Sequence, residues 1–136
     1  VILAGGLASA VEPVEPVRLR ISELELIPQE ITQGCTIAIR FQVYDPEQEA
    51  RLIIARWVHE RYSRRSRTEG RDMLNLPTAT AIEAARRTVT MPVRPIDYES
   101  VTYSVYVEDR AGNPSNVLSG SVRVRLRPLF GNEPCR

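Results

Sequence analysis

From Arg18 onward apolar side chains return at every second position, the repeat of a half-buried strand. Leu19 and Ile21 alternate with Arg18, Arg20 and Ser22. Leu24 and Leu26 then alternate with Glu23 and Glu25 in the opposite phase, which predicts one strand bulged near Ser22. Pro28 interrupts it, Glu30 to Thr32 resumes it, and Gln33-Gly34 turns the chain. Cys35, Ile37, Ile39, Phe41 and Val43 share one face of the next strand, opposite Thr36, Ala38, Arg40, Gln42 and Tyr44. Asp45-Pro46-Glu47 starts a turn, and the run from Leu52 to Val58 predicts a third strand carrying the single tryptophan, Trp57.

Residues 60–72, ERYSRRSRTEGRD, hold no apolar alternation and read as a surface loop or hairpin tip. In TATAIEAARR (residues 78–87) the alanines favour helix, but one strong apolar side chain cannot form a buried stripe, so a short helical turn is the most expected there. Val89, Met91 and Val93 restore the alternation beside Pro92 and Pro95. Val101, Tyr103, Val105 and Val107 predict another strand, Asp109 to Asn116 a turn, and Leu118, Gly120, Val122, Val124 and Leu126 a last strand. About seven short strands separated by turns predict an all-β antiparallel sandwich.

The 136 residues suffice for one domain with tails, and 43% hydrophobic with 26% charged residues is globular composition. The boundaries read as an apolar segment at 1–10, a proline-containing linker at 11–17, the sandwich at 18–128 and a tail at 129–136. Eighteen basic against 17 acidic residues leave a formal charge of +1, so no global field recruits nucleic acid or an anionic membrane. Every basic residue is arginine, a permanently charged group suited to bidentate contacts.

The segment VILAGGLASA is uncharged, and VEPVEPV after it is an extended spacer. Ala8-Ser9-Ala10 fits the small-x-small pattern at which export signals are cut. Ile2, Leu3 and Leu7 supply apolar bulk, while Gly5 and Gly6 belong to small residues spaced four apart, a spacing that lets helices pack closely in lipid. The segment is therefore read as a membrane anchor, a stub packed against protein, or a signal remnant. Two cysteines, Cys35 and Cys135, are consistent with one disulfide in an oxidising compartment, although spacing alone leaves two separate thiols open.

Two stretches carry a family resemblance. PQEITQGCTIAI (residues 28–39) resembles the opening from strand A to strand B of bacterial immunoglobulin-like domains, which commonly read P-x-x-V-x-x-G-x-T-V-x-I. YSVYVEDRAGNPSN (residues 103–116) resembles their strand F, its turn and the entry to strand G. The resemblance implies an immunoglobulin-like sandwich, close in kind to fibronectin type III domains, with Trp57 on strand C against the core. It implies that Tyr103 forms a tyrosine corner, and it places Val105 where antibody domains carry their second disulfide cysteine. It implies nothing about activity.

Catalytic signatures are absent. His59 is the one histidine, read as a surface residue at a strand end, and no nucleophile elbow, phosphate loop, dinucleotide fingerprint or CxxC pair occurs, so neither enzyme activity nor a cofactor is expected. Asp45, Glu47 and Asp109, with Glu49, Glu108 and Asn113, fall in two loops that share one end of such a sandwich, where hard oxygens suit Ca²⁺; the signal is weak, and turn-forming acids on a solvated surface are the more expected reading. Arg61, Arg64, Arg65, Arg67 and Arg71 concentrate at the other end, beside Asp97 and Glu99, as a docking surface for an acidic protein partner or a solvated loop. Tyr44, Tyr62, Tyr98 and Tyr106 would be the platform of a carbohydrate- or cell-wall-binding module. The expected function is a non-catalytic accessory or scaffolding subunit of a membrane or envelope assembly, periplasmic or at the cell surface, that binds other protein subunits and no nucleic acid, with a small-molecule ligand not expected.

Overall fold

The computed structural model describes residues 18–61, 65–95, 99–127 and Cys135. The expectations for residues 1–17, for Tyr62 and Arg64, for Asp97 and Tyr98, and for most of the tail lie outside the described residues. Among the described residues eight strands run in the order β1 (Arg20–Ile27), β2 (Glu30–Thr32), β3 (Ile37–Tyr44), β4 (Ala50–Arg61), β5 (Ser66–Asn75), β6 (Arg87–Val93), β7 (Glu99–Asp109) and β8 (Leu118–Arg125). They form two sheets, one of three strands in the order β1-β3-β6 and one of five in the order β2-β8-β7-β4-β5. Every pairing is antiparallel except the short β2-β8 pair, which is parallel.

Alternation explains the layering. Ile37, Ile39, Phe41 and Val43 of β3 are all buried, as are Val101, Tyr103, Val105 and Val107 of β7, and these two strands supply the middle of the core from opposite sheets. Val89, Met91 and Val93 extend it on β6, and Val122 and Val124 on β8. In β1 the phase change becomes a bulge: Ser22 pairs with Gln42 and Glu25 with Arg40, so β1 spends three steps where β3 spends two. The extra residue, with Glu23 at a φ of 55°, lets Ile21 and Leu26 face the same core although they are five apart. The chain then crosses sheets at Pro28, after a cis Ile27–Pro28 bond, and turns at Gly34, whose φ of 89° favours a residue without a Cβ.

The polar stretch expected as a loop differs most. Ser66–Asn75 is a ten-residue strand at the edge of the larger sheet, paired with β4 from Leu52↔Asn75 to Arg61↔Ser66. Its side chains are exposed or half-buried on both faces, because β5 lies beyond the cover of the three-stranded sheet. A strand with no buried face leaves no apolar alternation in its sequence. Within residues 78–87 only a turn forms: Ala84 donates to the Thr80 carbonyl, while the Thr80 hydroxyl and the Glu83 carboxylate each bond the other's backbone N–H.

Candidate functional site

The register sorts the expected site residues into two ends and one face. At one end lie Arg18, the turn after β3 and the loop after β7, which enclose a cleft of about 350 Å³ lined by Arg18, Asp45, Glu47, Glu49, Asp109 and Asn113. The acids thus meet, but the two aspartate carboxylates are engaged. Asp45, only 2% exposed, accepts from the backbone N–H groups of Glu49 (2.9 Å) and Ala50 (3.0 Å). Asp109 accepts from the N–H groups of Ala111 (2.9 Å) and Asn113 (2.8 Å) and from the Asn113 amide (3.2 Å). Burial acts to raise its carboxyl, and the bonds donated by Asn113, Ala111 and Gly112 outweigh that and hold it below the ordinary carboxylate value. Both aspartates thereby build their turns, and among the described residues no group of three or more His, Cys, Asp and Glu side chains gathers to hold a metal ion.

Two further side chains fasten this end. Ser115 accepts from the Val107 N–H (2.9 Å) and donates to the Asn116 carbonyl (2.9 Å). Asn116 in turn accepts from the Ile21 N–H (2.8 Å) and donates to the Ile21 carbonyl (2.9 Å), so its amide takes the place of a neighbouring strand along the open edge of β1. At the opposite end Cys35 and Cys135 form a disulfide with Cα atoms 5.3 Å apart. Arg127 braces that corner, donating to the Gln33 carbonyl (3.1 Å) and approaching both sulfurs at 3.5 Å.

Trp57 and Tyr103 are direct cross-strand partners on the inner face of the larger sheet. Tyr103 is fully buried in mid-β7, and burial, reinforced by the nearby negative charge of Asp72, pushes its phenol above the ordinary range. Trp57 is half-buried and packs against the core from its margin, because its neighbour β5 carries only Gly70 opposite it. His59 corrects the expectation of a surface position. It is 3% exposed, opposite Val101, with its ring centroid 4.5 Å from that of Trp57, because the inward face of β4 continues two residues past the tryptophan.

The arginines separate. Arg61 and Arg65 flank the β4-β5 tip, and Arg67 stands on β5 within 3.7 Å of Glu69. Arg71 lies two turns of the pleat farther along the strand, directly opposite Arg56 of β4, a residue that loop-based reasoning passed over. The apolar run that hides Arg56 in the sequence is the signal that could have found it, since a charge inside such a run must point outward. Arg56 and Arg71 share the outer face of the sheet, and the Arg56 guanidinium lies 5.5 Å from the centre of the Tyr106 ring, within cation–π range. Among the described residues neither forms an ion pair with a carboxylate, whereas Arg40, Arg67, Arg86 and Arg125 each do. They border an open cleft of about 680 Å³, also lined by Trp57, Gly70, Ser104 and Tyr106.

Beside that cleft the outer face is low and hydroxylated. Thr102 and Ser121 share a hydrogen bond of 3.0 Å, and Ser104 and Ser119 one of 3.1 Å, each across the β7-β8 pair. Of the tyrosines considered as a sugar platform, Tyr44 ends β3 in the smaller sheet and Tyr106 is buried beneath Arg56 in the larger one, so the two do not form one surface.

No protein-family model matches the chain, and no curated protein matches it. Among solved structures, the alkylpurine DNA glycosylase AlkC of Pseudomonas fluorescens, bound to DNA containing an abasic site analog, is 13% identical with a TM-score of 0.48, over 79% of this chain and 30% of its own. The sporulation control protein Spo0M of Bacillus subtilis is 12% identical with a TM-score of 0.48, over 81% of this chain and 50% of its own. The chain therefore spans half or less of the length of either.

Proposed function

We propose that the chain is a non-catalytic, extracytoplasmic immunoglobulin-like domain that serves as an accessory or scaffolding subunit of a membrane or cell-envelope assembly. The strand arrangement supports the fold reading. With β1, β3 and β6 taken as A, B and E, the other sheet runs G-F-C through β8, β7 and β4, the central order of that sandwich. The Cys35–Cys135 disulfide supports an oxidising compartment. The observation that carries the docking role is the outer face of the larger sheet, an open surface whose hydroxyls bond one another and whose Arg56 and Arg71 have no carboxylate partner among the described residues. Such a face is shaped to lie against another protein rather than to enclose a substrate.

Purification of the full chain from native membranes in mild detergent, with mass spectrometry of what accompanies it at fixed stoichiometry, tests the reading. Integral-membrane partners are the expected result. A lone protein in the soluble fraction would overturn it. Deletion of Val1 to Ala10 should move the domain from the membrane to the soluble fraction, and an unchanged membrane fraction would defeat the anchor.

A further inference from the structure

Arg56 and Arg71 are Cα partners across the β4-β5 pair. Directly opposed side chains start about 4.5–5.5 Å apart at Cβ, and like charges placed so are destabilising. Charged strands at a sheet edge are common because they discourage aggregation, but one arginine on β5 would serve that purpose. A second cation on the adjacent inner strand adds repulsion without adding edge protection. The nearby acids do not cancel the pair. Glu69, which also lines the cleft, lies 3.7 Å from Arg67; Glu60 stands opposite Arg67; and Asp72, opposite Ala55, belongs to the inner face.

The surroundings fit an anion carried on a peptide. Tyr106 lies under the Arg56 guanidinium and limits its freedom, so less is lost when it engages a ligand. Ser104, opposite Arg56 on β7, is small and keeps the adjoining surface low, which lets a polypeptide backbone approach. The Ser104–Ser119 and Thr102–Ser121 bonds hold neighbouring hydroxyls to one another, leaving the Arg56 and Arg71 guanidinium groups beside the cleft as strong donors with no carboxylate partner among the described residues. The opposed Cβ atoms of the pair, about 5 Å apart, match the spacing of two acidic side chains carried side by side, as Glu or Asp residues are at i and i+4 of a helix, about 5–6 Å apart at Cβ.

We propose that Arg56 and Arg71 form a paired-carboxylate site that docks an acidic segment of a partner protein, each guanidinium taking one carboxylate. This rests on the docking role proposed above and names the chemistry of the partner at that face.

Fluorescence anisotropy of the full chain, disulfide intact, with a labelled helical peptide bearing Glu at i and i+4 tests it, with Gln replacing both Glu residues in the control peptide. Binding that falls with added salt is expected, together with at least a tenfold loss for the Gln peptide and for the Arg56→Gln/Arg71→Gln variant. Arg40→Gln, on the other sheet and already paired with Glu25 at 3.0 Å, should bind as the wild type does. Relief of the like-charge repulsion and loss of the Arg56–Tyr106 contact are of similar size and opposite sign, so the double variant should melt within a few degrees of the wild type, and weak binding is then not misfolding.

Equal binding by the double variant, or by the Gln peptide, would overturn the proposal. So would displacement of the peptide by an equimolar amount of inorganic phosphate, which would identify a general phosphate site. A dimer in sedimentation that the double variant dissolves would overturn it in favour of a second copy as occupant. The two proposals fail separately. Loss of the peptide result with membrane partners still co-purifying removes the site alone, whereas peptide binding by a protein that purifies alone removes the accessory-subunit reading.

Discussion

Gly70→Ala tests the margin of the core, where β5 is held against β4. A Cβ at residue 70 would lie 2.3 Å from Trp57 Cζ2 and 2.8 Å from Cε2 and Cη2, against a favourable carbon–carbon separation of about 3.5–4.0 Å. The indole must retreat by more than about 1 Å to restore that contact. It is a rigid ring with His59 on one side and Tyr103 opposite, so no flexible end can swing away. Overpacking of this kind costs about 1–3 kcal/mol. Alanine in place of glycine within a strand returns about 0.5–1 kcal/mol, leaving a net loss of up to about 2.5 kcal/mol. Urea denaturation followed by far-UV circular dichroism should show a lower midpoint with an unchanged slope. In a Trp57→Leu background the clash is absent and Gly70→Ala should be neutral or stabilising by up to about 1 kcal/mol, giving a coupling of about 1–3 kcal/mol in the double-mutant cycle. An equal effect of Gly70→Ala in both backgrounds would refute the argument.

Asn116→Ala removes both bonds to Ile21 and leaves its N–H and carbonyl without those partners, so a loss of about 1–3 kcal/mol is expected in thermal or urea unfolding. Cys35→Ser/Cys135→Ser opens a link between residues 100 apart in sequence and should cost about 2–4 kcal/mol; reductant should lower the melting temperature of the wild type and leave the variant unmoved. For Asp109 the depressed carboxyl means that the folded state holds its proton less tightly than the unfolded chain. Its stabilisation is present above the ordinary value of 3.8 and is lost as pH falls through the lower folded value. Asp109→Asn should therefore be less stable at neutral pH and show a shallower decline under acid, measured as melting temperature against pH.

What the sequence disclosed followed from which residues have a buried face. β3 was legible residue by residue because Ile37, Ile39, Phe41 and Val43 all enter the core, and the phase change between Ile21 and Leu24 announced the bulge in β1. β5 was illegible because neither of its faces is covered, which leaves Ser66 to Asn75 with the composition of a loop. His59 went the other way: a polar residue after the apolar run continues the inward face and is buried beside Trp57. The candidate site suffered from the same cause. Loop reasoning grouped Arg61 to Arg71 by proximity in sequence, whereas the sheet separates Arg67, paired with Glu69, from Arg71 and joins Arg71 to Arg56 through strand register alone.

That register also explains how the domain can carry a repulsive pair. Its ends are fastened by groups that leave the outer face of the larger sheet alone: Asp45, Asp109, Ser115 and Asn116 bind backbone at one end, and Cys35, Cys135 and Arg127 close the other. The inner face is filled by side chains such as Tyr103, Val105 and Val107. Two exposed guanidinium groups on directly opposed residues repel by no more than about 1 kcal/mol in water, small beside those fastenings. In a protein interface that excludes water the same separation is worth several times more, and two matching carboxylates turn the repulsion into attraction. The face is therefore inexpensive to keep in solution and selective when covered, since a neutral partner surface would have to desolvate two arginines with nothing to replace their water.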